Sequence, residues 1–236
     1  MHEINIKVFC FNPFRENTYL MWNRAGECIL VDPSPYTADE EEDLFSYISD
    51  NKLKPKEIWL THGHFDHVYG VARIVREYST PVRMHSDDKV ILENDHVFAA
   101  SVLLDAPDCS FETIDFEDGE LLDALPDSVF KVIWTPGHTP GSVCLVDFTD
   151  KVMLSGDTLF AGTIGRTDHM GGDYDREIVS VMDKLMGLPG DIDVLPGHGG
   201  MTTIADERTH NPFLQPFNEP EEDMLDLEGE GIEIHG

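Results

Sequence analysis

Hydrophobic and polar residues alternate from the first positions of the chain, "MHEINIKVFCFNPF", and the run "INIKVFCF" (4–11) is followed by "NTYLMW" (17–22) and "ECILVDP" (27–33). Their β-branched and aromatic content, with turn residues between them, predicts three strands in an antiparallel meander. "YTADEEEDLFSYISDNKL" (36–53) predicts a helix with Thr37 as its N-cap and acidic residues in the first turn. Strand and helix then alternate. "KEIWLTH" (56–62) and "PVRMHS" (81–86) predict strands, and "FDHVYGVARIVREY" (65–78) and "DDKVILENDHVFAASVLL" (87–104) predict helices.

The second half repeats this order. "VFKVIWTPGH", "SVCLVDF" and "KVMLSGD" predict three strands broken by Pro-Gly turns. "DYDREIVSVMDKLMGL" (173–188) predicts an amphipathic helix closed by Gly187 and Pro189, then "DIDVLPGH" a short strand and residues 202–211 a last helix. Two strand-rich halves, each followed by helix, imply two packed sheets with helices outside, an α+β layered architecture.

The chain has 236 residues, enough for one full core, and 41% hydrophobic content is ordinary for a globular protein. We expect one domain over 1–215 and, because "EPEEDMLDLEGEGIEIHG" lacks Lys and Arg, an acidic mobile tail over 216–236. The formal net charge of -30 repels phosphate backbones and anionic lipid, so neither nucleic acid nor membrane is an expected partner. Cys10, Cys28 and Cys144 each sit in an apolar strand-like run, and Cys109 stands apart. No CxxC pair, signal peptide or bilayer-length apolar run is visible, so we expect a cytoplasmic protein with its cysteines as small hydrophobes.

Candidate chemistry lies at strand ends. "LTHGHFDHVYG" (60–70) places His62, His64, Asp66 and His67 directly after an apolar run, where polar side chains are costly to desolvate unless something binds them. His138 follows "VIWTPG", Asp157 follows "VMLSG" and His198 follows "DVLPG". Singly, each has an ordinary alternative: a chance surface His-x-His, a turn aspartate, a strand-end cap. Together, four strand ends carrying imidazole and carboxylate point to a metal cage without thiolate, suited to Zn first and compatible with Fe or Mn. In an extended segment His62 and His64 share one side, while Asp66 and His67 fall where the chain turns. Seven ligands suit two divalent ions: His62, His64 and His138 on one, Asp66, His67 and His198 on the other, and Asp157 between them.

"THGHFDH" resembles the HxHxDH motif of the metallo-β-lactamase-fold hydrolases, and "TPGHTPGS", "LSGDTLF" and "LPGHG" are similar to that family's later motifs, in its order. "CILVDP" resembles the first motif, whose aspartate, here Asp32, supports the site from behind the ligands. The resemblance spans about residues 3–215 and implies a four-layer αββα sandwich with metals at the edge between the sheets. Within the family the chain looks like a short glyoxalase II, a hydroxyacylglutathione hydrolase. "GTIGRTD" (162–168) resembles the loop where those enzymes carry a basic residue near glutathione, here Arg166. "ERTHNPFL" resembles the closing segment of the short forms, which lack the appended helical domain.

The implied reaction is hydrolysis of a small thioester, S-D-lactoylglutathione or a related hydroxyacyl thioester, by a hydroxide shared between two metals. A thiolate leaving group, with a free-thiol pKa of about 8.5, departs with little or no protonation. Asp66, beside the attacking water, is the candidate to take its proton. The rival readings are a single-iron persulfide dioxygenase-like oxidoreductase, which shares the HxHxDH run and the "GRTD" loop, and a metal-dependent lactone or β-lactam hydrolase. "PGHG" around His198 looks more like the hydrolases.

Overall fold

The computed structural model describes residues 4–125 and 128–214. The expected acidic tail, 216–236, lies outside the described residues. The first sheet takes β1 (Asn5–Phe11), β2 (Glu16–Trp22), β3 (Glu27–Val31), β4 (Lys54–Trp59), β5 (Val82–Met84) and β6 (Thr113–Asp115) in sequential order. Pairing is antiparallel through β3, as the meander predicts, and parallel from β3 to β6. The second sheet is built from β7 (Leu121–Leu125), β8 (Ser128–Trp134), β9 (Val143–Asp147), β10 (Val152–Gly156), β13 (Asp193–Pro196) and β14 (Thr202–Thr203). Its order is β14-β13-β10-β9-β8-β7. A small hairpin, β11 (Leu159–Phe160) with β12 (Thr163–Ile164), follows β10.

Alternation sorts the side chains into three apolar layers. Met21, Ile29 and Val31 from the first sheet and Val143, Leu145, Val152 and Leu154 from the second meet around Trp59 and Phe130 between the sheets. The neighbouring positions Leu20, Cys28 and Leu30 face outward onto Leu44 and Ile48 of α1 (Ala38–Asp50) and Ile74 of α2 (Val71–Tyr78). On the far side, Cys144, Val146 and Met153 pack on Ile178 of α5 (Tyr174–Val179), on Val181 and Leu185, and on Ile204 of α6 (Ile204–His210). The result is the expected four-layer αββα sandwich. Thr37 caps α1 as predicted and forms a capping box with Glu40.

Several local expectations are corrected. The helix expected over 65–78 is a single 3-10 turn, Phe65–His67, and then α2. Gly70 packs so tightly on Pro35 that a Cβ there would stand 2.5 Å from its ring, and its N–H bonds Pro33 O, so the chain cannot run on as one straight helix. The 87–104 helix is two short ones, α3 (Lys89–Asn94) and α4 (His96–Ser101), broken where the Asp95 side chain turns inward to bond the Phe65 N–H. The 173–188 helix passes from α5 into π-helical turns over Ser180–Leu185. Strands β6, β7, β11, β12 and β14 were not expected; β6 and β7 are edge strands whose acidic residues hide the alternation. Cys10 is exposed rather than a core hydrophobe, because β1 is also an edge. Cys28 and Cys144 are buried, and burial pushes both thiols up to about 12. Among the described residues no helix is long and apolar enough to cross a membrane.

Candidate metal centre

The strand directions bring the candidate residues to one edge. β3 is parallel to β4, β10 is parallel to β13, and β8 runs with β10 because both are antiparallel to β9. Their C-terminal ends therefore carry Asp32, the 61–67 loop, His138, Asp157 and His198 to the same side. The sheets are tied together there: Val143 N–H donates to Thr61 O at 2.9 Å, and Asn17 N–H to Gly197 O at 2.7 Å.

Among the described residues three groups of side chains come close enough to share a cation: the two that hold the candidate ligands, and Asp32 with His62 and His67. Ligand atoms of His62, His64 and His138 lie within 4.8 Å of one another, as do those of Asp66, His67 and His198. Asp157 stands between the groups. Its Oδ1 is 3.5 Å from His67 Nε2, and its Oδ2 is 3.6 Å from His138 Nε2 and 3.5 Å from His198 Nε2. His64 Nδ1 faces His138 Nε2 at 3.0 Å, His67 Nε2 faces His198 Nε2 at 3.3 Å, and His198 Nε2 is 3.4 Å from Asp66 Oδ2. Two donors about 2.1 Å from one tetrahedral ion stand about 3.4 Å apart. The spacing suits ligands that share ions.

Hydrogen bonding behind the rings decides which nitrogens face inward. His138 Nδ1–H donates to Arg166 O at 2.7 Å and His198 Nδ1–H to Phe14 O at 3.1 Å. His67 Nδ1–H donates to Asp32 Oδ2 at 3.1 Å. The Thr61 hydroxyl spends its one proton on Asp32 Oδ2 at 2.6 Å, so it accepts from His62 Nδ1–H at 3.0 Å. Once neutral, each of these rings presents a bare Nε2. Burial lowers His67 and His198, but the neighbouring carboxylates, Asp157 foremost, outweigh it and raise both above the usual histidine range. These two would therefore take up a metal with release of a proton. Burial, followed by the neighbouring imidazoles, drives His62 well below the usual histidine range; burial and then His138 do the same to His64. Both are neutral, the form that binds metal. His62 Nε2 and Asp157 Oδ1 are fully buried without a hydrogen-bond partner. Orphaned acceptors on two elements, beside nitrogen pairs that cannot all donate, fit a pair of cations.

Asp32 lies behind both groups. It accepts from Thr61 N–H at 2.7 Å, from the Thr61 hydroxyl and from His67, orienting members of both groups. Its φ of 48° is left-handed, which Asn also tolerates. Asp32→Asn is therefore expected to keep the fold and weaken metal affinity by about 10–100-fold, read by competition with a chromogenic chelator.

Three further buried carboxylates brace the loops, and sequence reading missed them. Asp88 accepts from Gly63 N–H at 2.8 Å, the Thr139 hydroxyl at 2.7 Å and Gly141 N–H at 2.6 Å, joining the His62–His64 loop to the His138 loop. Asp95 accepts from Phe65 N–H, and Glu177 from His138 N–H at 2.7 Å. Burial pushes Asp88 up to about 6 and Glu177 up to about 8. Gly137 gives Glu177 its room, since a Cβ there would stand 2.3 Å from Glu177 Cα. Asp88→Ala would strand three buried donors and is expected to cost about 3–5 kcal/mol, measured by urea unfolding. Asn12, in the "NPF" turn, donates to Asp66 O at 2.8 Å; its left-handed φ of 51° is the one such contact that a turn motif could have flagged.

The two groups open into a cavity of about 370 Å³ walled by Phe14, Phe65, Phe98, Phe160 and Ile164. Arg166 and His169 also reach it. The Arg166 guanidinium is paired with Asp168, and its carbonyl positions His138. His169 stacks edge-on to Phe98, with ring centroids 4.7 Å apart.

Comparison with known proteins follows the same frame. Hydroxyacylglutathione hydrolase GloC of Haemophilus influenzae is 34% identical over 213 residues, covering 89% of this chain and 98% of that protein. The crystal structure of the B3 metallo-beta-lactamase BLEG-1 aligns with a TM-score of 0.82 at 32% identity, over 89% of this chain and 99% of its own. That of TTHA1623 in a di-iron-bound form aligns with a TM-score of 0.79 at 36% identity, over 88% and 100%. Residues 11–198, from the turn that carries Asn12 to the last imidazole of the centre, match the metallo-beta-lactamase superfamily, and the chain belongs to it.

Proposed function

We propose that the protein is a binuclear metallo-hydrolase of thioesters. His62, His64 and His138 would hold one ion, Asp66, His67 and His198 the other, and Asp157 both. The observation that carries this reading is Asp157 standing 3.5–3.6 Å from imidazole nitrogens of both groups. A set of nitrogen and carboxylate oxygen donors suits Zn first, with Fe or Mn compatible, and a related protein has been seen with two irons.

When bound, the two ions supply Lewis acidity for a carbonyl and acidify water to near neutrality. The chain's own residues do the rest. Asp66, lining the cavity beside His198, accepts a proton from attacking water. The phenylalanine walls exclude bulk water and hold the acyl group against the centre. A thiol leaving group, with a pKa of about 8.5, asks for no strong acid among the lining residues. The likeness to a protein named hydroxyacylglutathione hydrolase supports the thioester class and makes S-D-lactoylglutathione the reference substrate.

The test is thioester loss with metal-loaded protein, before and after a chelator, for S-D-lactoylglutathione and for a neutral acyl thioester. Turnover that the chelator abolishes and added metal restores is expected. Full metal occupancy with no thioester cleavage would overturn the reading. Oxygen uptake with glutathione persulfide would then identify a dioxygenase, and nitrocefin cleavage a β-lactam hydrolase.

A further inference from the structure

The walls and the rim of the cavity differ in what they offer a ligand. Four phenylalanines and Ile164 make the walls. Phe14 and Phe65 meet edge to face, with centroids 5.2 Å apart, and Phe65 and Phe98 lie 5.7 Å apart, so rings from the turn after β1, the 3-10 turn and α4 form one continuous apolar surface. Such a surface gains most from an aromatic or branched acyl group and little from a small hydroxylated one.

Among the described residues that line the cavity the single Lys or Arg side chain is Arg166, and that charge is already answered. Arg166 Nε donates to Asp168 Oδ1 at 2.8 Å and Nη2 to Oδ2 at 2.9 Å, a two-pronged pairing that occupies the guanidinium face. Both side chains are well exposed, so the pair is weak as a stabilising contact. It nonetheless cancels the local charge, and a ligand carboxylate at Arg166 would sit beside Asp168. Asp95 adds a further acidic group to the lining, and the chain as a whole carries a net charge of -30. Apart from the metal centre itself, the charge of the chain therefore repels an anionic carrier rather than steering it in.

From these two features we infer that the cavity selects thioesters combining an apolar, aromatic or branched acyl group with a thiol carrier free of carboxylates. The inference rests on the thioester reading above and narrows it. In the reaction, water adds to the acyl carbon and the C–S bond breaks with its electron pair going to sulfur. The products are a carboxylate, a thiol and one released proton.

The experiment compares metal-loaded protein on phenylacetyl-N-acetylcysteamine and on S-D-lactoylglutathione, in the native chain and in Asp168→Asn. Asp168 is exposed and holds no strand or helix, so the variant folds. The native chain should favour the neutral aryl thioester by about tenfold or more in kcat/KM, a discrimination of the size that apolar pockets achieve. Asp168→Asn, which frees Arg166, should move the ratio about tenfold toward the glutathione thioester, mainly through its KM. Equal or better use of S-D-lactoylglutathione by the native chain, with a ratio that Asp168→Asn leaves unmoved, would overturn the inference while the thioester reading stands. Absence of turnover on both thioesters would overturn the two together.

Discussion

Asp157→Ala is expected to lower turnover by about 10³-fold, equivalent to about 4 kcal/mol of barrier, and to release at least one metal ion per chain. The argument is electrostatic. Among the described residues Asp157 is the one carboxylate within 3.6 Å of imidazole nitrogens from both groups. Removing it would leave two cations facing each other across five neutral rings, with Asp66 alone to offset them directly. No other described carboxylate can move in: Asp32 is held by three donors on the far side of His67, and Glu177 is held by His138 N–H. Metal content by atomic emission and turnover on a thioester check it together. A variant that keeps two metals and native turnover would remove the bridging role. Folding should survive, because Asp157 accepts no backbone hydrogen bond among the described residues and lies at a strand end outside the three apolar layers.

How much of this was legible beforehand follows from where each group sits. His62, His64, His138, Asp157 and His198 were readable because each follows an apolar run, and a strand end leaves few ordinary roles for a buried imidazole. Asp32 was legible only through the resemblance of "CILVDP" to the family's first motif. Glu177, Asp88 and Asp95 were not. They lie on or beside short helices in a chain with 46 Asp and Glu, where one more acid looks like solvated surface. Only the three-dimensional path of the loops shows that backbone N–H groups of Gly63, Phe65, Gly141 and His138 need acceptors there. The aromatic walls were hidden differently. Phe14, Phe98 and Phe160 come from a turn, from α4 and from β11, far apart in sequence, and share no periodicity. The layered α+β order was legible because the inner strands, buried on both faces, read as continuous apolar runs. The four-layer sandwich was legible only through the family resemblance. The edge strands β6 and β7 escaped because one side of each faces solvent and carries charge.

Gly197→Ala is the smallest change with a comparably large expected effect. A Cβ on Gly197 would stand 2.2 Å from Asp157 Oδ1 and 2.8 Å from His67 Cε1, inside contact distance of a bridging group and a ring of the second triad. The backbone cannot retreat. Gly197 N–H is bonded to Gly156 O at 2.8 Å, and Gly197 O accepts from Asn17 N–H at 2.7 Å, pinning the residue between both sheets. Asp157 and His67 must move instead, and His67 is tied to Asp32. A displacement of about 1 Å at such a site is worth about 10²-fold in rate, and here it would also misplace two of the proposed metal ligands. Gly197→Ala should therefore bind metal more weakly and lose about 10²–10³-fold in turnover. Its unfolding transition should shift by only about 1–3 kcal/mol, the usual range for overpacking. Circular dichroism with metal titration separates the two. Native-like metal affinity in a folded Gly197→Ala protein would mean that Asp157 and His67 have room this geometry denies them. Loss of metal with the fold intact would locate the function where the two sheets touch, in the space that a glycine leaves open.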